Sequence, residues 1–76
     1  MAVKLAEYRF STDYDSFENI LNRIYSVIDL SAYHKLGIDK PSSSCAGYIR
    51  IYDDLPEEVI QNVGKICRAN GGEPYN

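Results

Sequence analysis

The stretch from Cys45 to Tyr52 reads Cys-Ala-Gly-Tyr-Ile-Arg-Ile-Tyr, and it is the segment that decides the class of fold. Its side chains alternate in character, as they do in a β-strand whose successive residues point to opposite faces of a sheet. One face carries Cys45, Gly47, Ile49 and Ile51, and the other carries Ala46, Tyr48, Arg50 and Tyr52. The sequence therefore predicts a strand over this range and leaves open which face is covered.

A helix is expected directly after this strand. Asp54 and Glu57 have the spacing of a capping box, in which two side chains satisfy free backbone amides at a helix N-terminus. Pro56 suits the first turn, because its missing N–H has no helical partner there. The sequence Asn70-Gly71-Gly72 ends the helix. The apolar face of this helix consists of Leu55, Val59, Ile60, Val63, Ile66 and Cys67.

Another helix is expected upstream, because apolar residues recur there with the period of an amphipathic helix. This stripe consists of Phe17, Ile20, Leu21, Ile24, Val27 and Ile28. Asp15 and Glu18 have capping-box spacing at its start. The helix is expected to end near Asp29, and a short helical piece from Ser31 to Leu36, stopped by Gly37, follows it.

A first strand is expected from Val3 to Phe10. Its alternation changes phase near Ala6, which indicates a bulge, and apolar residues on both faces indicate burial on more than one side. Two strands make a marginal sheet. A third strand is expected either from the loop at 37–44 or from the tail at 73–76, unless two chains join their sheets across an edge.

These elements predict an α+β fold in the order β-α-(α)-β-α. A two- or three-stranded sheet is expected to carry helices packed mainly on one face. The chain has 76 residues, which leaves no room for a second domain. We therefore expect a single compact domain over residues 1–76.

The charge of the chain limits the partners that it suits. Eleven acidic and eight basic residues give a formal charge of −3, and no two lysines or arginines are adjacent. Nucleic acids and anionic membranes attract clustered cations, so the sequence argues against both as partners. The start of the chain lacks the apolar segment of a signal peptide, and no apolar run approaches a membrane span. We therefore expect a soluble, cytoplasmic protein with reduced thiols.

No catalytic, cofactor-binding or metal site is predicted, so the chain is not expected to be an enzyme. His34 is the only histidine and would have to be the base for any nucleophilic thiol. Cys45 follows three serines, and a small enzyme that uses its thiol is the less favoured alternative. Cys67 belongs to the apolar face of a helix and is expected in the core. Two cysteines and one histidine are too few for a structural zinc site, which needs four ligands.

A surface for binding a partner is the functional feature that the sequence favours. Tyrosine and arginine are enriched in interface hot spots, and carboxylates at an interface rim speed encounter with a positive surface. An alternative stays open, in which the tyrosines pack under a helix and the acidic residues only complement its N-terminus. The candidate contact residues are Tyr48, Arg50, Tyr52, Asp53, Asp54, Glu57 and Glu58.

The chain is short and acidic, contains seven tyrosines and shows no catalytic set. Inhibitors, immunity proteins and regulatory adaptors share this profile, among them proteins encoded by phages and other mobile elements. We therefore expect a small acidic binding protein whose partner is a larger protein with a basic surface. The alternative is a structural module that completes its sheet in a homodimer.

Overall fold

Residues 2–75 of the chain are described by a computed structural model. Within this range lie three helices and four strands. In chain order they are β1 (Lys4–Phe10), α1 (Tyr14–Tyr25), α2 (Leu30–Tyr33), β2 (Gly37–Asp39), β3 (Gly47–Tyr52), α3 (Glu57–Ala69) and β4 (Glu73–Pro74). The α+β class predicted from the sequence is confirmed.

The four strands of residues 2–75 form one antiparallel sheet in the order β2-β3-β1-β4. Together with the helices, this is the β-α-β-β-α-β, or split β-α-β, arrangement, with the four-residue α2 inserted before β2. Both segments that the sequence offered for a third strand therefore join the sheet, at 37–39 and at 73–74. The predicted tail extends to Asn76, which lies outside the described residues.

The register of β1 against β3 fixes which side chains face the helices. Tyr8 lies opposite Ile49, and both are buried. The register shifts between Lys4 and Ala6, so the bulge expected near Ala6 is confirmed.

The sequence predicted apolar burial of β1 on more than one side, and this is wrong, because the buried residue on the second side is the charged Glu7. Val3 is 60% exposed and Leu5 is 54% exposed. Leu5 is the extra residue of the bulge, and the helices cover only one face of the sheet. Neither of these apolar side chains therefore reaches the core.

One apolar core lies between the sheet and its helices. Phe10 of β1 and Phe17 of α1 meet edge to face, with ring centroids 5.6 Å apart. All three helices contribute buried side chains to this layer, which confirms the predicted packing of helices on one face. The buried apolar residues are Tyr8, Phe10, Phe17, Ile20, Leu21, Ile24, Ala32, Leu36, Ile49, Ile51, Leu55, Val63 and Cys67.

α1 is shorter than the sequence predicted. Its N-cap is Asp13 instead of Asp15, and it ends at Tyr25 instead of continuing to Asp29. The Asp29 carboxylate accepts a hydrogen bond from the Ala32 amide at 2.8 Å and so caps α2. This local bond between side chain and backbone competes with the continuation of α1.

α2 is the short helical piece that the sequence predicted, at 30–33 instead of 31–36. A turn follows it, in which Leu36 is buried. Gly37 then opens β2, so this glycine starts a strand instead of ending a helix.

β3 and α3 also begin later than predicted. β3 starts at Gly47, because Cys45 belongs to a tight turn in which its carbonyl accepts from the Ser42 amide at 3.0 Å. The N-cap of α3 is Pro56. Within residues 2–75, Asp54 forms no hydrogen bond that would cap this helix.

Gly47 provides a prediction about the packing of α1 on the sheet. A Cβ at this position would lie 2.7 Å from the buried ring of Phe17, which is closer than real side chains approach. We expect Gly47→Ala to lower the free energy of unfolding by about 1–3 kcal/mol, because the ring has no room to move. Urea denaturation followed by circular dichroism measures this loss.

The exposed substitution Ser43→Ala is the control and should change the free energy of unfolding by less than about 0.5 kcal/mol. If Gly47→Ala were as stable as the wild type, the close contact between Gly47 and Phe17 would be contradicted.

Candidate binding surface

No helix covers the face of the sheet opposite the core, and we call it the open face. Its members follow from the register, in which Glu7 pairs with Arg50 and Arg9 pairs with Tyr48. The side chains that it carries are Lys4, Glu7, Arg9, Asp39, Tyr48, Arg50, Tyr52, Glu73 and Tyr75. The isoleucines of β3 are buried in the core, and its tyrosines lie half-buried on the open face.

Arg50 lies at the centre of an ion network on the open face. Its Nε is 3.2 Å from Oε2 of Glu7, and its Nη2 donates to Oδ2 of Asp39. Nζ of Lys4 approaches the other carboxylate oxygen of Glu7 to 2.6 Å. The bond to Asp39 raises the pKa of Arg50 above its usual value. The positive charge of Arg50, a predicted contact residue, is therefore balanced by carboxylates of the same chain. One of these carboxylates belongs to Glu7, which is only 9% exposed.

Tyr48 and Tyr75 form an aromatic pair across the open face. Their ring centroids are 5.2 Å apart, and their planes meet at 61°. The Tyr75 amide donates to the Glu7 carbonyl at 2.8 Å, which continues the pairing of β4 with β1. The Tyr52 hydroxyl approaches Gly37, where it would be 3.1 Å from a Cβ. The open face thus presents tyrosine rings held by neighbouring strands.

Four of the predicted contact residues are carboxylates at the end of the sheet where β3 leads into α3, and we call them the acidic turn. They are Asp53, Asp54, Glu57 and Glu58, all exposed. Asp53 accepts a hydrogen bond from the Val3 amide at 2.9 Å, and Glu57 accepts one from a glutamine one helical turn later. The carboxylates of Asp54 and Glu58 form neither a hydrogen bond nor an ion pair within residues 2–75.

The seven predicted contact residues lie on two adjoining surfaces. The side chains at 48, 50 and 52 belong to the open face, whereas the acidic turn lies at the end of the sheet. In the described part of the chain, no hydrogen bond or ion pair joins the two groups. A partner that contacts all seven residues must therefore cover both the face and this end.

Neighbouring strands add side chains to the open face that the sequence analysis did not identify. These residues are Lys4, Glu7, Arg9, Asp39, Glu73 and Tyr75. Glu7 and Arg9 alternate with the buried Tyr8 and Phe10, and this alternation is a signal that places both opposite the core. Tyr75 carries no such signal, because β4 has only two residues.

A shallow depression of about 460 Å³ lies at the other end of the sheet from the acidic turn. Its lining includes the hydroxyls of Ser11, Thr12 and the serines at 42–44. Arg9 and Asp13 bring opposite charges to the same lining. The depression therefore has no strong preference for either an anion or a cation.

The structure does not bring Cys45 and His34 together. Cys45 lies in the loop before β3, and its sulfur is 3.9 Å from the Ser44 hydroxyl. His34 follows α2 and precedes β2, at the opposite end of the sheet. No hydrogen bond joins the two side chains within the described range.

Cys67 lies in the core, as the sequence predicted. Its side chain is fully buried, and burial raises the pKa of its thiol to about 12. A thiol with such a pKa stays protonated near neutral pH and is a poor nucleophile.

Among residues 2–75, no group of three or more histidine, cysteine or acidic side chains is placed to hold a metal ion. No helix of this part of the chain has the length and apolar character needed to cross a membrane.

The chain matches no model of a protein family, and comparison with curated proteins and with solved structures gives no significant match. Function is therefore inferred from the geometry of the open face and the acidic turn.

The two thiols should react at very different rates. Cys45 is exposed, whereas Cys67 is buried with a pKa of about 12. Because the thiolate is the reactive form, a thiol reagent such as DTNB at mildly alkaline pH should modify Cys45 quickly and Cys67 only after unfolding in guanidinium. Cys45→Ser is the control and should remove the fast phase. Two fast thiols in the folded protein would contradict the buried position of Cys67.

The ion network predicts that Arg50 stabilises the fold. Arg50→Gln leaves the buried Glu7 carboxylate with Lys4 alone, so the free energy of unfolding should fall by about 1–3 kcal/mol. Arg9→Gln is the matched control on the same face, because Arg9 has no ion pair within residues 2–75.

Chemical denaturation of both variants measures the difference. The control should lose less than about 0.5 kcal/mol. Equal losses for Arg50→Gln and Arg9→Gln would show that the network does not stabilise the fold.

Proposed function

We propose that this chain is a small acidic binding protein that acts by contact with a larger protein carrying a basic surface. The observation that carries the proposal is the open face, where Tyr48, Tyr52 and Tyr75 stay partly accessible because no helix covers them. Inhibitors, immunity-type proteins and adaptors, including those of phages and other mobile elements, act by occupying a site on a larger molecule.

The side chains of the open face suit a binding surface, because they are ordered before a partner arrives. Tyrosine supplies a large contact area with few rotatable bonds and so loses little conformational entropy on binding. The contact between Tyr48 and Tyr75 restrains both rings. Glu7 and Asp39 hold Arg50 in the same way. These contacts support a preorganised surface.

The charge of the chain supports a basic partner. Its formal charge is −3, and the carboxylates of Asp54 and Glu58 are exposed at the acidic turn. Carboxylates at the rim of an interface accelerate encounter with a positive surface. The same charge disfavours the phosphate backbone of a nucleic acid.

The cysteines support a reducing, cytoplasmic setting for this activity. Both Cys45 and Cys67 are unpaired, and proteins of the cytosol keep their thiols in this state. The proposed activity is binding alone and requires no cofactor.

A homodimer that completes its sheet has less support. Within one chain, β2 and β4 already pair with the outer edges of β3 and β1. The new outer edges are three and two residues long, and such short edges resist pairing with another chain. Pro74 also lacks the amide that a further strand would use.

Tyr48→Ala should weaken partner binding. The tagged chain captures its partner from an extract of its native cell, mass spectrometry identifies the partner, and the purified pair is titrated. Loss of a central aromatic contact is expected to weaken affinity about tenfold or more. Thermal unfolding of the variant is followed by circular dichroism, because the contact with Tyr75 also contributes to stability.

Lys65→Ala is the matched control, since Lys65 is exposed on α3 and lies away from the open face. Its affinity should equal that of the wild type. If folded Tyr48→Ala also bound like the wild type, the open face would not be the binding surface. If the tagged chain retained only further copies of itself, the homodimer would replace the proposed function.

A further inference from the structure

Within residues 2–75, large aliphatic side chains are exposed in two short segments. They are Val3, Leu5, Val27 and Leu30, which are 60, 54, 51 and 52% exposed, respectively. A single exposed side chain of this kind is ordinary in a folded protein. Several of them rimmed by polar residues are typical of a surface that contacts another molecule.

The topology brings both segments to the end of the molecule where the acidic turn lies. Val3 is held there directly, because its amide donates to the Asp53 carboxylate and its carbonyl accepts from the Asp53 amide, both at 2.9 Å. α1 starts at the far end of β1 and runs back for 12 residues, which is about 18 Å. The connection at 26–29 and the start of α2 therefore lie at the end where β1 begins. We call these apolar residues together with the acidic turn the acidic end.

The charges of the acidic end favour a positive partner. The acidic turn supplies four exposed carboxylates, and Asp54 and Glu58 form no ion pair within residues 2–75. Lys4, the cation at the start of β1, is already paired with Glu7 at 2.6 Å. Lys35, the cation that follows α2, is attracted by the nearby Asp29 carboxylate. A partner that covers the apolar side chains therefore meets a negative rim.

We propose that the acidic end binds a basic amphipathic helix of the protein partner. This inference rests on the proposed function, because it specifies the chemistry of the protein partner where that partner contacts the acidic end. An amphipathic helix with an apolar stripe flanked by lysine or arginine fits both features of this end. Its stripe covers Val27 and Leu30, and its cations reach Asp54 and Glu58.

Electrostatics separates this partner from the other classes of occupant. A second copy of the chain would bring its own acidic turn against the first one. An anionic membrane surface would meet the same repulsion. A cationic partner gains from the carboxylates that repel those two.

A defined peptide tests the inference. The probe is a labelled helical peptide of about 14 residues, composed of leucine and lysine with the leucines on one face. One comparison peptide has the same composition in an order that gives no apolar face, and another replaces leucine by serine at the same charge. Fluorescence anisotropy measures affinity, and NMR chemical shifts of the labelled protein locate the site.

The amphipathic peptide should bind at least about tenfold more tightly than either comparison peptide, with shifts concentrated in the acidic end. Leu30→Ser should weaken binding about five- to tenfold, because it removes an apolar contact. The double variant Asp54→Asn, Glu58→Gln should weaken binding severalfold and reduce its dependence on salt. Tyr14→Ser is the matched control, since it removes an exposed aromatic side chain from the start of α1, at the opposite end of the molecule, and should leave peptide binding unchanged.

Three results would overturn the inference: equal binding of the reordered peptide, shifts located on the open face, or no saturation up to about 1 mM peptide. Circular dichroism of each variant separates loss of binding from loss of folding. If the peptide test fails while Tyr48→Ala still weakens the native partner, only this inference falls. If the peptide binds as expected while Tyr48→Ala leaves the native partner unaffected, the role proposed for the open face falls instead.

Discussion

The pairing of β1 with β3 is the constraint on which the remaining structure depends. Its register places Tyr8 opposite Ile49, and the apolar face formed in this way must be covered, since its exposure to water costs about 25 cal/mol per Å². α1 and α3 provide that cover. The same register puts Glu7 opposite Arg50 on the other face, where charged partners make cover by an apolar helix unfavourable. One register therefore decides both the core and the open face.

The two short edge strands, β2 and β4, each contribute a side chain that contacts a residue of β3 on the open face. β2 contributes Asp39, which completes the ion network of Arg50. β4 positions Tyr75, whose ring restrains Tyr48. Each edge strand thus gives a side chain of β3 a contact that a two-stranded sheet would lack. The order of the open face follows from the completion of the sheet on both sides.

The open face and the acidic turn differ in character. The open face has balanced charges and tyrosines held by neighbouring strands, which favours shape-specific contact. The acidic turn has carboxylates in water, which favours rapid encounter with a cationic partner. Asp53 links that turn to the fold, because it receives the Val3 amide. A partner that contacts both regions gains specificity from the open face and a higher association rate from the acidic turn.

The sequence by itself determined the elements whose signals are local. The apolar stripe from Phe17 to Ile24 and the alternation at Ile49 and Ile51 predicted α1 and β3, because periodicity records which side of an element is buried. Local patterns also indicated the positions of most candidate contact residues, which lie on the polar face of β3 or in the first turn of α3. β2 and β4 are too short to show a period, so only their pairing with distant strands made them strands. The tertiary structure likewise decided that Arg50 is held by Glu7 and Asp39, and that the acidic turn adjoins the open face without belonging to it. These contacts join residues far apart in the chain, and no local pattern encodes them.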